Sequence, residues 1–159
     1  MTIAVGCNLA DGVVMGVDSA ITISGKVNTP QGQQEGVLKV YNEAKKLFPL
    51  YDLPVGIATY GVAQLNLRTI ESYIREFEHD KDKTEVKAWS IEQTSNELWS
   101  FFSEKYRDTF SNELEEKFNQ PFDEIDPNNR PTLGLLVGGF SYGEYLSEVW
   151  DVMVHAKNE

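Results

Sequence analysis

The chain of 159 residues is 41% hydrophobic and 25% charged, with a formal net charge of −11. These values describe one globular domain, residues 1–159, long enough for a core that requires no metal or disulfide staple, and exclude a disordered polar tail. No apolar run of about 18 residues exists, so no membrane-spanning helix is expected, and no secretory leader pattern opens the chain.

A single cysteine, Cys7, permits no internal disulfide and points to a reducing compartment, the cytoplasm. His79 and His155 stand far apart without ligand spacing around them, so neither a metal nor another cofactor is expected. The charge is uneven. Residues 1–60 hold five acids and four lysines, whereas the remainder holds 20 acids and 10 bases. That acidity argues against nucleic acid or an anionic membrane as partner and reads first as a solvated surface.

Taken in order, Thr2–Cys7 is rich in β-formers, Asp11-Gly12 signals a tight turn and Val13–Val17 is a second short apolar run, together a hairpin. Asp18-Ser19 ends it. Ala20–Ser24 is β-prone up to Gly25, and the polar stretch Lys26–Gly36 reads as a mobile loop. After Val37–Tyr41, a strand is expected over Lys46–Leu50, with Pro49 marking a sheet edge or a bulge. Asp52–Pro54 is a turn before Val55–Thr59, which enters Tyr60-Gly61.

From Val62 the period becomes helical, with Leu67, Ile70, Ile74 and Phe77 on one face and an end near His79. Ser90, with Gln93 three residues on, caps a long second helix whose stripe is Ile91, Leu98, Phe102, Tyr106, Phe110 and Leu114. A proline-rich loop, Asn119–Pro131, leads to strands over Thr132–Phe140 and Tyr145–Val154, and Gly138-Gly139 marks a bulge or a close backbone approach. Strands, then helices, then strands make an α+β domain with antiparallel sheets packed on helices. Cys7 reads as a core strand residue, and Trp99, Phe101, Phe102 and Phe110 as helix packing.

The chemistry concentrates near the N-terminus. Removal of Met1 before the small Thr2 leaves a residue carrying both a hydroxyl nucleophile and an α-amine, whose reference pKa of about 7.7–8.0 lets it act as a base near neutrality. Asp18 ends the second hairpin strand close to where Thr2 begins the first, placed to orient a cation. Lys46 opens the strand leading to Gly61; a lysine beside Thr2 disfavours the protonated amine and lowers the hydroxyl pKa. Gly61, where a strand passes into a helix, offers a backbone N–H for an oxyanion, aided by the helix dipole.

Thr2-Ile-Ala-Val-Gly, Asp11-Gly-Val-Val-Met-Gly-Val-Asp18-Ser19, Lys45-Lys46-Leu-Phe and Gly56-Ile-Ala-Thr-Tyr-Gly61 together resemble the proteasome β-subunit and HslV-like family of N-terminal nucleophile hydrolases. The resemblance implies an Ntn-hydrolase-like αββα sandwich and a threonine-type endopeptidase. Thr2 falls on the nucleophile, Asp18 on the acidic residue, Lys46 on the essential lysine and Gly61 on the oxyanion glycine. Thr22 falls on the threonine whose backbone pairs with substrate; Ala58 and Val62, flanking the Thr59–Gly61 turn, are expected to wall a small or apolar specificity pocket. It also implies a polypeptide substrate, a homo-oligomeric ring and an ATP-dependent unfoldase as partner.

The chain departs from the family pattern in three places. The interval from Asp18 to Lys46 is longer than usual, which makes Lys45 and Lys39 competitors for the lysine role. Ala20 stands where an arginine is common. The resemblance further implies a continuation beyond Glu159 that carries a serine, an aspartate and another serine near the nucleophile's amine. Without it, the alternative is a non-catalytic ring-forming subunit or an inactive fragment.

Overall fold

A computed structural model describes residues 3–29, 32–41, 43–51 and 53–155. The first hairpin forms as expected: β1 (Ala4–Leu9) and β2 (Gly12–Val17) pair antiparallel, with Ala4 opposite Val17 and Leu9 opposite Gly12. Next comes a departure. The stretch expected as a mobile loop belongs to a long ribbon, β3 (Ile21–Thr29) paired antiparallel with β4 (Gly32–Tyr41). A strand is recognised by the alternation that one buried face imposes. Lys26–Gly36 is polar, with Pro30, Gly32 and three glutamines, so no apolar alternation marks a strand there and its composition reads as loop.

The central sheet is antiparallel and has four strands in the order β10-β9-β6-β5. These are β5 (Leu47–Pro49), β6 (Val55–Gly61), β9 (Leu133–Phe140) and β10 (Ser147–Met153); between them in sequence lie the two-residue strands β7 (Gln64–Leu65) and β8 (Arg68–Thr69). Pro49 sits on an edge strand, where a missing N–H costs no ladder bond. Three helices connect β8 to β9: α1 (Ile70–Asp80), α2 (Lys83–Val86) and α3 (Ile91–Phe118). The Ser90 side chain caps α3 by accepting from Gln93 N–H at 3.0 Å, as its spacing foretells. No helix among the described residues is long and apolar enough to cross a membrane.

Helices cover one face of this sheet and the β1–β2 hairpin lies on the other. The core fills the helix side, where Ile57, Leu135 and Val137 meet Ile74, Phe77, Leu98 and Phe102. Edge-on ring contacts between Phe77 and Phe101 and between Tyr73 and Phe102 hold α1 beside α3. On the hairpin side the layers approach closely. A Cβ at Gly138 would lie 2.9 Å from Met15 Sδ, whereas one at Gly139, beside its partner strand in the central sheet, would lie 2.2 Å from the Pro54 carbonyl oxygen. Gly139 therefore serves close backbone approach, and Gly138 admits the Met15 side chain of the hairpin. Asn8 Nδ2 donates to the Ser147 carbonyl at 2.7 Å, pinning the hairpin to β10.

Two further expectations fail. Cys7 is exposed, because it lies on the outer face of the hairpin opposite Val14, itself 59% exposed. Leu67 is 94% exposed with φ +64, because the β7–β8 turn intervenes and α1 starts only at Ile70, capped by Thr69.

Candidate active site

Three segments converge where β2 ends. Ile3 and Asp18 extend the β1–β2 ladder by one pair: Asp18 N–H donates to the Ile3 carbonyl at 3.0 Å, and Ile3 N–H donates to Asp18 Oδ1 at 2.9 Å. The second carboxylate oxygen accepts from Ala20 N–H at 3.1 Å and from Lys46 Nζ at 3.2 Å. Lys46 Nζ also donates to the Ala20 carbonyl. Asp18 is thus a junction: one oxygen holds the backbone beside residue 2, and the other holds an ammonium group. Thr2 itself lies outside the described residues, one peptide unit before Ile3.

Lys46 is buried, its side chain 8% exposed against 29% for Asp18. Lys45, its competitor, is half exposed and faces Glu71 at 3.5 Å, over the Phe48 ring. Lys39 stands in β4 opposite Ile23. Of Lys45 and Lys46, the geometry brings only the latter to Asp18. Partial burial pushes the Asp18 carboxyl up, but the Ile3 N–H, the Lys46 ammonium and the Ala20 N–H outweigh it and hold the group below its ordinary value.

Lys46 is fixed through its backbone as well. Its carbonyl accepts from Thr59 N–H at 2.8 Å. Alternate N–H groups along a strand point to the same side, so the Gly61 N–H is turned towards the edge at which Lys46 stands. Gly61 has φ +89, and a Cβ there would sit 1.9 Å from the Thr132 carbonyl oxygen, so glycine is required. The helix dipole expected behind Gly61 is absent: the β7–β8 turn separates Gly61 from the first residue of α1, Ile70.

Thr22 is exposed in β3, opposite Val40, just past the Asp18–Lys46 contact. Ala58 is fully buried, and Val62 is half-buried with its N–H on the Thr132 carbonyl at 2.8 Å. Ala58 therefore presents no surface of its own to an incoming side chain. Sequence reasoning missed Ala20, whose backbone serves both members of the ion pair, and Thr59, which anchors Lys46. Their contribution is through backbone groups, so residue type carries no signal for Ala20.

Among the described residues no cluster of His, Cys, Asp or Glu could hold a metal ion. Comparison with family models, with curated proteins and with solved structures gives no match to this chain.

Proposed function

We propose that this chain is a proteasome-like threonine peptidase subunit with an Ntn-hydrolase-like sandwich, cutting polypeptide in the cytoplasm. The observation that carries the reading is the Asp18 junction: a buried ammonium 3.2 Å from a carboxylate whose other oxygen holds the N–H of Ile3, next to Thr2. In this reading Met1 is removed and the Thr2 hydroxyl attacks a peptide carbonyl. The free α-amine takes the hydroxyl proton and delivers it to the leaving amine. Lys46 stabilises the alkoxide, and the Gly61 N–H stabilises the tetrahedral oxyanion. Water then attacks the acyl ester on Thr2, releasing the acid and regenerating the hydroxyl. Thr22 pairs with the extended substrate, and Val62, with Ala58 behind it, borders the side-chain pocket.

Assembly into a homo-oligomeric ring, fed by an ATP-dependent unfoldase, belongs to the same proposal. Its support is the outer face of the β1–β2 hairpin, where Ile3, Val5, Leu9 and Val14 are 49–59% exposed, an apolar strip that a lone subunit leaves wet. The same strip supports the second reading, a non-catalytic ring subunit. Intact-mass spectrometry for Met1 loss, a threonine-directed covalent inhibitor and a fluorogenic peptide amide test the reading together. Retained Met1, or hydrolysis unchanged in Thr2→Ala, overturns it. A ring by light scattering that cuts no peptide establishes the second reading instead.

A further inference from the structure

The β3–β4 ribbon grows directly out of the candidate site. Ala20, bonded to both Asp18 and Lys46, immediately precedes Ile21 at the start of β3, and Ala44 N–H closes the base on the Ser19 carbonyl at 2.8 Å. From that base β3 runs nine residues, about 30 Å at roughly 3.3 Å per residue. It pairs on one side only: β3 and β4 form a two-stranded sheet to which no third strand adds among the described residues. Every second residue of β3 therefore turns its N–H and C=O away from β4, a row of backbone donors and acceptors that forms a template for another extended chain.

An isolated two-stranded ribbon is marginal in water, and a third strand is what stabilises such a sheet. Thr22 lies on the same strand, which has a register shift against β4 between Ile23 and Ser24, so a strand added along β3 leads towards the base that holds Asp18 and Lys46. We infer that the outer edge of β3, from Ile23 to Thr29, is an extended docking edge for unfolded polypeptide, bound by strand addition and independent of side-chain sequence. This rests on the peptidase reading for its purpose, and on the backbone geometry alone for its existence. It implies that the chain selects long, extended polypeptide over short peptides.

The test uses the full chain carrying Thr2→Ala, so that bound polypeptide is not cut. A fluorescein-labelled, unstructured 20-residue peptide of Ser, Thr, Val, Lys and Glu with zero net charge is titrated and followed by anisotropy. In the shortened variant Gly25–Gly36 is replaced by Asn-Gly, which joins Ser24 to Val37, already opposite one another, through a two-residue turn. The expected result is a Kd raised at least about tenfold by the shortening, the equivalent of losing one or two net backbone hydrogen bonds. In the unshortened protein, hydrogen exchange of the amides of residues 23–29 slows on adding the peptide, a measurement that holds whether or not the variant folds. An unchanged Kd in a folded variant, or unchanged exchange over residues 23–29, overturns the inference. Cleavage of an internally quenched fluorogenic 20-residue peptide of the same composition by the wild-type chain is scored separately. Ribbon-dependent binding without cleavage keeps the docking edge and overturns the peptidase reading; cleavage with ribbon-independent binding does the reverse.

Discussion

Replacing Lys46 with methionine separates the chemical role of its ammonium from its structural one. The variant keeps a straight apolar stem and removes one charge. The contacts to Asp18 Oδ2 at 3.2 Å and to the Ala20 carbonyl are lost. Asp18 keeps the Ile3 and Ala20 N–H groups at 2.9 and 3.1 Å, and its side chain is 29% exposed, so its charge stays partly solvated. Charged hydrogen bonds contribute about 1.5–3 kcal/mol each when well buried; with this solvent screening a total of about 2 kcal/mol follows. For a chain of this size that lowers Tm by about 4–8 °C.

A domain at the low end of ordinary stability, about 5 kcal/mol, would retain about 3 kcal/mol and stay about 99% folded, so unfolding removes almost no activity. Loss of an electrostatic group that stabilises the transition state costs about 10²–10³ in rate. Lys46→Met is therefore expected to lower kcat/KM on a fluorogenic peptide amide more than about a hundredfold in a folded protein, beyond what its thermal shift explains. The control is Lys45→Met, half exposed and 3.5 Å from Glu71; it is expected to stay within about 0.5 kcal/mol and twofold in rate. The assignment of Lys46 fails if its variant retains kcat/KM within about threefold. It fails equally if Lys45→Met carries the loss.

Three more outcomes follow from the geometry. Because folding holds the Asp18 carboxyl below its ordinary value, its contribution is full above the unfolded pKa of about 3.9 and is lost as pH falls through the folded value. The stability gap between wild type and Asp18→Asn, from urea titrations, should stay level between about pH 7 and 5 and narrow below about pH 4; a gap that widens on acidification contradicts this. Gly61→Ala forces a methyl to 1.9 Å from the Thr132 carbonyl oxygen at φ +89, and should cost about 2–4 kcal/mol by urea midpoint. By comparison, Gly16→Ala, with nothing within 4 Å of the added carbon, should stay within about 0.5 kcal/mol. Arg130, buried, donates to the Ile125, Phe122 and His155 carbonyls, so Arg130→Met should cost about 3 kcal/mol in thermal unfolding, with Arg130→Lys recovering less than half because an ammonium cannot span all three.

What could be read from the sequence depended on whether a residue's role leaves a trace in residue type. The α3 helix was legible because Ser90 and its apolar stripe act through side chains, and Pro49 narrowed its strand to an edge or a bulge, of which the structure shows the edge. The Asp18–Lys46 contact was legible because a carboxylate and a cation act through their side chains. Cys7 was misjudged because a two-stranded hairpin has one covered and one open face, and Cys7 falls on the open one beside Val14. Leu67 misled because an apolar residue at helical spacing cannot reveal that the β7–β8 turn places it at φ +64. Ala20 was invisible, because its carbonyl and N–H are what matter and every residue but proline supplies both.

The ambiguity between Lys39, Lys45 and Lys46 has a topological origin. Counting residues from Asp18 presumes a fixed path, but an antiparallel ribbon can lengthen by pairs of residues without moving its base. The base here is closed by Ala44 N–H on the Ser19 carbonyl and by Lys46 Nζ on Asp18 and Ala20. Each added pair of residues in register supplies its own ladder bonds, and loop-closure entropy grows only slowly with length. The distance between Asp18 and Lys46 is therefore set by the strands that leave the base, β2 and β5, and not by the 28 positions that separate them in the chain. A longer ribbon thus changes what the site can reach, through the free edge of β3, while leaving its charged pair where a shorter one would put it.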